Sequence, residues 1–211
     1  MNASTSRLTL DGPCGVIEVL RDAALLAPGS VAMGTAVVAH PHPLFGGTMD
    51  NKVVQTLARA FVQCGWHALR FNFRGVGRSA GAYDNGRGEV DDLCAVVRAG
   101  APEGALALAG FSFGAFVASQ AAQQLRSERL LTQVVLIGPA VSRFPVAPLD
   151  AGLNPLVVHG ELDETVPLSD VLVWARPQNQ PVVVIPAASH FFHGQLALLK
   201  SLVVRHLRSA D

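Results

Sequence analysis

The 211-residue chain has only three cysteines, Cys14, Cys64 and Cys94, and no C-x-x-C pair. So sparse and odd a set argues against a disulfide framework and suits a reducing compartment, so a cytoplasmic location is expected. Neither sign of charge is in excess: 16 Lys and Arg face 16 Asp and Glu, and no run of like charges occurs. That balance removes the electrostatic reason to expect a nucleic-acid or anionic-membrane partner. No apolar run approaches the roughly 20 residues needed to cross a bilayer. Residues 1–15 are polar and broken by glycine and proline, without the basic start and apolar middle of a signal peptide. Internal repeats, low-complexity tracts and linkers are also missing. What remains is a chain that is 50% apolar, enough for one compact domain over residues 1–211, as a monomer or small homo-oligomer.

Short apolar runs alternate with longer amphipathic stretches, the pattern of a mostly parallel sheet with helices on both faces. Strands are expected near Val16–Leu20, Thr35–His40, His67–Phe73, Ala105–Phe111, Thr132–Gly138, Leu156–Gly160 and Val182–Pro186. Helical spacing marks Lys52–Phe61, Glu89–Arg98, Phe113–Leu125, Leu168–Ala175 and Gln195–Leu207. Between Pro139 and Asn154 lies a short, proline-bearing connection with too few residues for a helical cap. A site at the top of the sheet is therefore expected to be open, with no cap domain.

Gly110-Phe111-Ser112-Phe113-Gly114 follows an apolar run and precedes an alanine-rich helical stretch. This is the strand–turn–helix setting of a nucleophile elbow, in which glycines leave room for a turn too tight for flanking Cβ atoms. A glycine-rich turn with Ser112 as a mere cap is the alternative, and partners are needed to decide. A serine hydroxyl needs an imidazole to take its proton, and the order in such folds is serine, acid, histidine. His159-Gly160-Glu161-Leu162-Asp163-Glu164-Thr165-Val166-Pro167 favours Asp163 as the acid, with Glu161 and Glu164 in reserve. Ser189-His190-Phe191-Phe192-His193 follows the last strand and favours His190 as the base, with His193 as rival. Asp163 would then orient the His190 ring.

Acyl transfer also needs donors for an oxyanion. Phe113 is expected to supply one backbone N–H. The other is expected from His40-Pro41-His42-Pro43-Leu44-Phe45-Gly46-Gly47, where the prolines have no N–H to give. His42 is preferred and Leu44 is second. Phe45, Phe111 and Phe191 are candidates for an apolar wall, with core packing an equal reading for Phe111. His40 and His42 lack a third ligand nearby, so no metal is expected, and no cofactor either. His159 reads as support for the acid loop, and His67 and His206 read as structural. Gly75-Val76-Gly77-Arg78-Ser79-Ala80 imitates a dinucleotide fingerprint, but no helix begins within it. Arg74 is expected to tie that loop to nearby carboxylates.

Three segments carry a resemblance: His40–Lys52, Phe71–Ser79 and Ser189–Gly194. Together with the G-x-S-x-G and H-G-x-x-D segments, they resemble the small, lidless bacterial α/β-hydrolases, a group similar to carboxylesterase-type and dienelactone-hydrolase-type enzymes. The resemblance runs from about residue 15 through nearly the whole chain. It implies an α/β-hydrolase fold and esterase chemistry on small or short-chain acyl substrates, through Ser112, Asp163 and His190. Serine rather than cysteine at 112 argues against a strict dienelactone-hydrolase assignment. A peptidase, thioesterase or perhydrolase on the same site remains open, as does a binding protein that keeps the fold without catalysis.

Overall fold

A computed structural model describes residues 5–209. The strands are β1 (Thr5–Gly12), β2 (Gly15–Asp22), β3 (Gly34–Ala39), β4 (His67–Phe71), β5 (Ala105–Phe111), β6 (Leu131–Ile137), β7 (Pro155–Gly160) and β8 (Val182–Ile185). They form one sheet in the order β1-β2-β4-β3-β5-β6-β7-β8. β1–β2 and β2–β4 pair antiparallel; from β4 to β8 every neighbour is parallel. The helices are α1 (Lys52–Gln63), α2 (Arg87–Gly100), α3 (Phe113–Leu125), α4 (Leu168–Ala175) and α5 (Leu196–Arg208). Each expected strand and helix is present, with ends shifted by a few residues.

The period of two along each strand divides the core. Leu106 and Leu108 of β5 face a layer holding Leu93 and Val97 of α2 and Val117 and Ala121 of α3. Ala107, Ala109 and Phe111 face the opposite layer, with Leu57 and Phe61 of α1 and Leu199 and Val203 of α5. With both faces covered, the central strands read as continuous apolar runs.

β1 is an addition to the expected set. Leu8 and Leu10 alternate with exposed Arg7, Thr9 and Asp11, and the two leucines pack partly buried against the core. The reading of residues 1–15 also covered residues 1–4, which lie outside the described residues. The glycine-rich loop after β4 forms no helix, because α2 starts only at Arg87. Its anchor is Arg74, buried with Asp92: Nε donates to Oδ2 at 3.0 Å and an Nη to Oδ1 at 2.8 Å. No helix among the described residues is long and apolar enough to cross a membrane.

Residues 139–154 contain only turns and a single 3-10 turn at Ala151–Leu153. The carboxyl ends of β5, β7 and β8 are left uncovered by any helical cap, and the candidate chemistry sits there.

Candidate active site

Ser112 stands between β5 and α3 with φ 57° and ψ −115°. An L-residue rarely adopts this conformation, and holding it costs about 1–3 kcal/mol. The surroundings enforce it. The Ser112 amide donates to the Ile137 carbonyl of β6 at 2.9 Å. A Cβ on Gly110 would overlap the Gly114 carbonyl, and one on Gly114 would lie 2.6 Å from the His40 oxygen. Glycine is thus required on both sides of the turn.

His190, in the loop after β8, brings Nε2 to 3.0 Å from Ser112 Oγ and Nδ1 to 2.6 Å from Asp163 Oδ2. Asp163 follows β7, and its Oδ1 accepts the amides of Thr165 at 2.9 Å and Val166 at 2.7 Å. Burial alone would raise the Asp163 pKa; the His190 hydrogen bond, then the Val166 amide and the nearby imidazoles, outweigh it and hold the carboxyl below its usual range. An ionised carboxylate only accepts, so the proton on His190 belongs on Nδ1 and Nε2 is free to accept from Ser112. Hydroxyl, imidazole and carboxylate in this series can pass a proton from oxygen to nitrogen while the new positive charge stays paired.

His159 sits beneath the acid loop, fully buried. Its Nε2 donates to the Val166 carbonyl at 2.9 Å and lies 3.5 Å from Asp163 Oδ2. Burial lowers its pKa, with the Val166 carbonyl working in the opposite direction. The reserve acids lie elsewhere. Glu161 accepts the Ala187 amide at 2.9 Å, bracing the His190 loop from outside, and Glu164 is exposed. His193 is exposed too, its ring stacked on Phe191 at 5.9 Å.

The loop after β3 turns on His42. The His42 carbonyl accepts the amides of Phe45 and Gly47, both at 3.1 Å. Leu44 donates its amide to the His42 ring at Nδ1, 3.2 Å away, so Leu44 is committed within the loop. The amides of His42 and Phe113 donate to no group among the described residues. With Nδ1 accepting, His42 Nε2 carries the proton, which it donates to Tyr83 Oη at 3.1 Å. The ring is held among Phe45, Tyr83 and Phe113 at centroid distances of 4.8–4.9 Å. Burial first, and then the charge of Arg143, lower its pKa.

His40 has both nitrogens occupied: Nδ1 donates to the Pro41 carbonyl at 2.6 Å and Nε2 accepts the Phe73 amide at 3.1 Å. Burial lowers its pKa to about 4, so it is a neutral strut between the loops after β3 and β4. His67 Nδ1 accepts the Ala24 amide and His206 Nε2 donates to the Asn154 carbonyl, both links between segments of the fold.

A cavity of about 340 Å³ opens above Ser112 and His190. Phe45, which is 77% exposed, and Phe191 line it. Phe111 does not: it leaves the apolar wall, and of its two readings core packing is the one the structure takes. Its position in β5 matches that of Ala107 and Ala109, so its ring turns into the α1–α5 layer with no exposed surface. There it lies against the His190 ring, 4.9 Å between centroids, and supports the imidazole from behind. Arg143 and Phe144 also line the cavity and were not foreseen. They come from the aperiodic connection after β6, where no hydrophobic pattern points to a facing direction.

Fold and site together define the class: an α/β-hydrolase fold with a serine at its elbow and no lid. A family model described as serine aminopeptidase, S33 (Hydrolase_4) matches residues 37–159, and the chain belongs to this α/β serine hydrolase family. A crystal structure of a lidless α/β serine hydrolase from Xanthomonas campestris is 40% identical, with a TM-score of 0.88, over 99% of this chain and 96% of that one. An α/β serine hydrolase homologue from Coxiella burnetii is 39% identical, with a TM-score of 0.81, over 96% and 97% of the two chains. An uncharacterized protein of Rickettsia prowazekii is 35% identical over 203 residues, 88% of this chain and 82% of its own length.

Proposed function

We propose that the protein is a carboxylesterase for small or short-chain esters, with Ser112 as nucleophile, His190 as base and Asp163 as the orienting acid. The observation that carries this reading is the continuous series from Ser112 Oγ through His190 to Asp163, at 3.0 and 2.6 Å. Ser112 attacks the ester carbonyl as His190 Nε2 takes the hydroxyl proton. The oxygen of the tetrahedral intermediate is received by the unspent amides of His42 and Phe113. His190 then protonates the departing alcohol, leaving an acyl-serine. Water, deprotonated by the same nitrogen, attacks the acyl group; the acid leaves and Ser112 recovers its proton.

An aminopeptidase must hold a substrate ammonium, for which a carboxylate in the wall is the ordinary partner. Among the described residues lining the cavity there is no Asp or Glu, which favours esters over peptides with a free amino terminus. A small-molecule substrate in a cytoplasmic setting agrees with the neutral overall charge and the sparse, odd set of cysteines.

The test is covalent labelling with a fluorophosphonate, followed by turnover of p-nitrophenyl esters of increasing chain length. The expected result is one adduct, on Ser112, and turnover that falls with acyl length and disappears in Ser112→Ala. No adduct would favour a binding protein, and turnover of aminoacyl amides or thioesters in preference to oxygen esters would reassign the substrate.

A further inference from the structure

The cavity wall carries one formal charge, and it is positive. Apart from His42 and His190, its only ionisable side chain among the described residues is Arg143. Around it are the rings of Phe45, Phe144 and Phe191. Two buried arginines beside the sheet are spent: Arg70 pairs with Asp22 at 2.8 Å, and Arg74 with Asp92 at 2.8 Å. The Arg143 guanidinium makes no ion pair or hydrogen bond among the described residues, so its donors are unclaimed.

Its base is well held. The amides of Arg143 and Phe144 both donate to the Ala140 carbonyl, at 3.1 and 3.0 Å. The Phe144 ring packs against Phe113 and Phe116 at 5.0 and 5.1 Å. The guanidinium thus projects from a fixed turn that lines the same cavity as Ser112. Its field already reaches His42, where it adds to burial in disfavouring a second positive charge. A planar fork of N–H donors in an apolar wall suits a planar anion with two oxygens. One cation neutralises a monoanionic carboxylate, whereas a phosphate dianion would bring uncompensated charge into a wall of phenyl rings.

We infer that Arg143 makes the enzyme selective for esters that carry a carboxylate elsewhere in the molecule, on the acyl or the alcohol side. The inference rests on the carboxylesterase reading, and its test separates the two. Arg143→Gln and Arg143→Lys are compared with the parent on two matched pairs. Monomethyl glutarate against methyl pentanoate probes the acyl side; p-carboxyphenyl acetate against p-carbamoylphenyl acetate probes the leaving group.

Arg143 is exposed, and a charge-assisted hydrogen bond there falls at the weak end of its range, so Arg143→Gln is expected to lower kcat/KM for an anionic ester about tenfold. Both neutral esters keep their parental values, Arg143→Lys recovers part of the loss, and added salt erodes the parental preference. An equal loss on neutral and anionic esters would overturn the inference, because the guanidinium would then be serving the oxyanion or the fold. No change on any substrate would overturn it as well. Neutral turnover that survives Arg143→Gln but not Ser112→Ala leaves the esterase reading standing whatever becomes of Arg143. No turnover of any ester by the parent overturns both.

Discussion

Replacing Asp163 by asparagine changes one atom and tests the proposed proton path. The carboxylate has two jobs: Oδ1 accepts the Thr165 and Val166 amides, and Oδ2 accepts His190 Nδ1–H at 2.6 Å. An asparagine keeps the first job with its carbonyl oxygen, which directs its NH2 group at His190. That NH2 can only donate, so Nδ1 must lose its hydrogen and the ring proton moves to Nε2. Nε2–H then points at Ser112 Oγ, and the ring can no longer accept the proton. A wrong tautomer of this kind lowers kcat by about 10⁴-fold, equivalent to about 5.5 kcal/mol of barrier. The loop keeps both backbone bonds, so the melting temperature should move little. The assay is kcat on p-nitrophenyl acetate, with the rate of fluorophosphonate labelling measured in parallel. Retention of more than about a tenth of parental kcat would refute the tautomer argument, and attention would pass to Glu161 and Glu164.

Two further outcomes follow from the loops that frame Ser112. Gly114→Ala places a methyl group against the Ala39 and His40 carbonyls, which are backbone and cannot step aside. Such overpacking costs about 1–3 kcal/mol, and a chain of this size loses about 2–4 °C per kcal/mol, so calorimetry should find a melting temperature about 5 °C lower; an unchanged melt with parental activity would contradict the packing. His40 is held neutral, its pKa lowered from 6.5 to about 4. The unfolded chain therefore binds the extra proton first, and folding stability falls as pH drops from about 6.5 to about 4, then levels, a loss of about 3 kcal/mol from this residue. His40→Gln should show a correspondingly shallower fall in urea midpoint between neutral and acid pH, and parallel curves for parent and variant would contradict it.

Much of this site was legible because its parts lie at strand ends in a fixed order. Ser112, Asp163 and His190 each follow an apolar run whose carboxyl end must reach the same edge of a parallel sheet. Arg143 and Phe144 had no such signal. Their segment has no period, and its direction is set by the turn onto the Ala140 carbonyl and by packing against Phe113 and Phe116. Phe111 was ambiguous for a different reason. It stood as a candidate for both the wall and the core, and the structure turns it with Ala107 and Ala109 into the core. The difference between His42 and Leu44 needed a side chain: only the imidazole that captures the Leu44 amide leaves the His42 amide as the unspent one. β1 was passed over because only Leu8 and Leu10 mark it, although their alternation with polar residues was visible.

The backbone at Ser112 places durability and chemistry in opposition at a single residue. A glycine there would adopt φ 57°, ψ −115° with none of the penalty a side chain incurs, and the fold would gain about 1–3 kcal/mol by losing the hydroxyl. Selection for stability alone would never choose serine at this turn. The glycines beside it, the Ile137 carbonyl that ties it to β6 and the helix that begins behind it hold that strain in place, so the hydroxyl points at His190 before any substrate arrives.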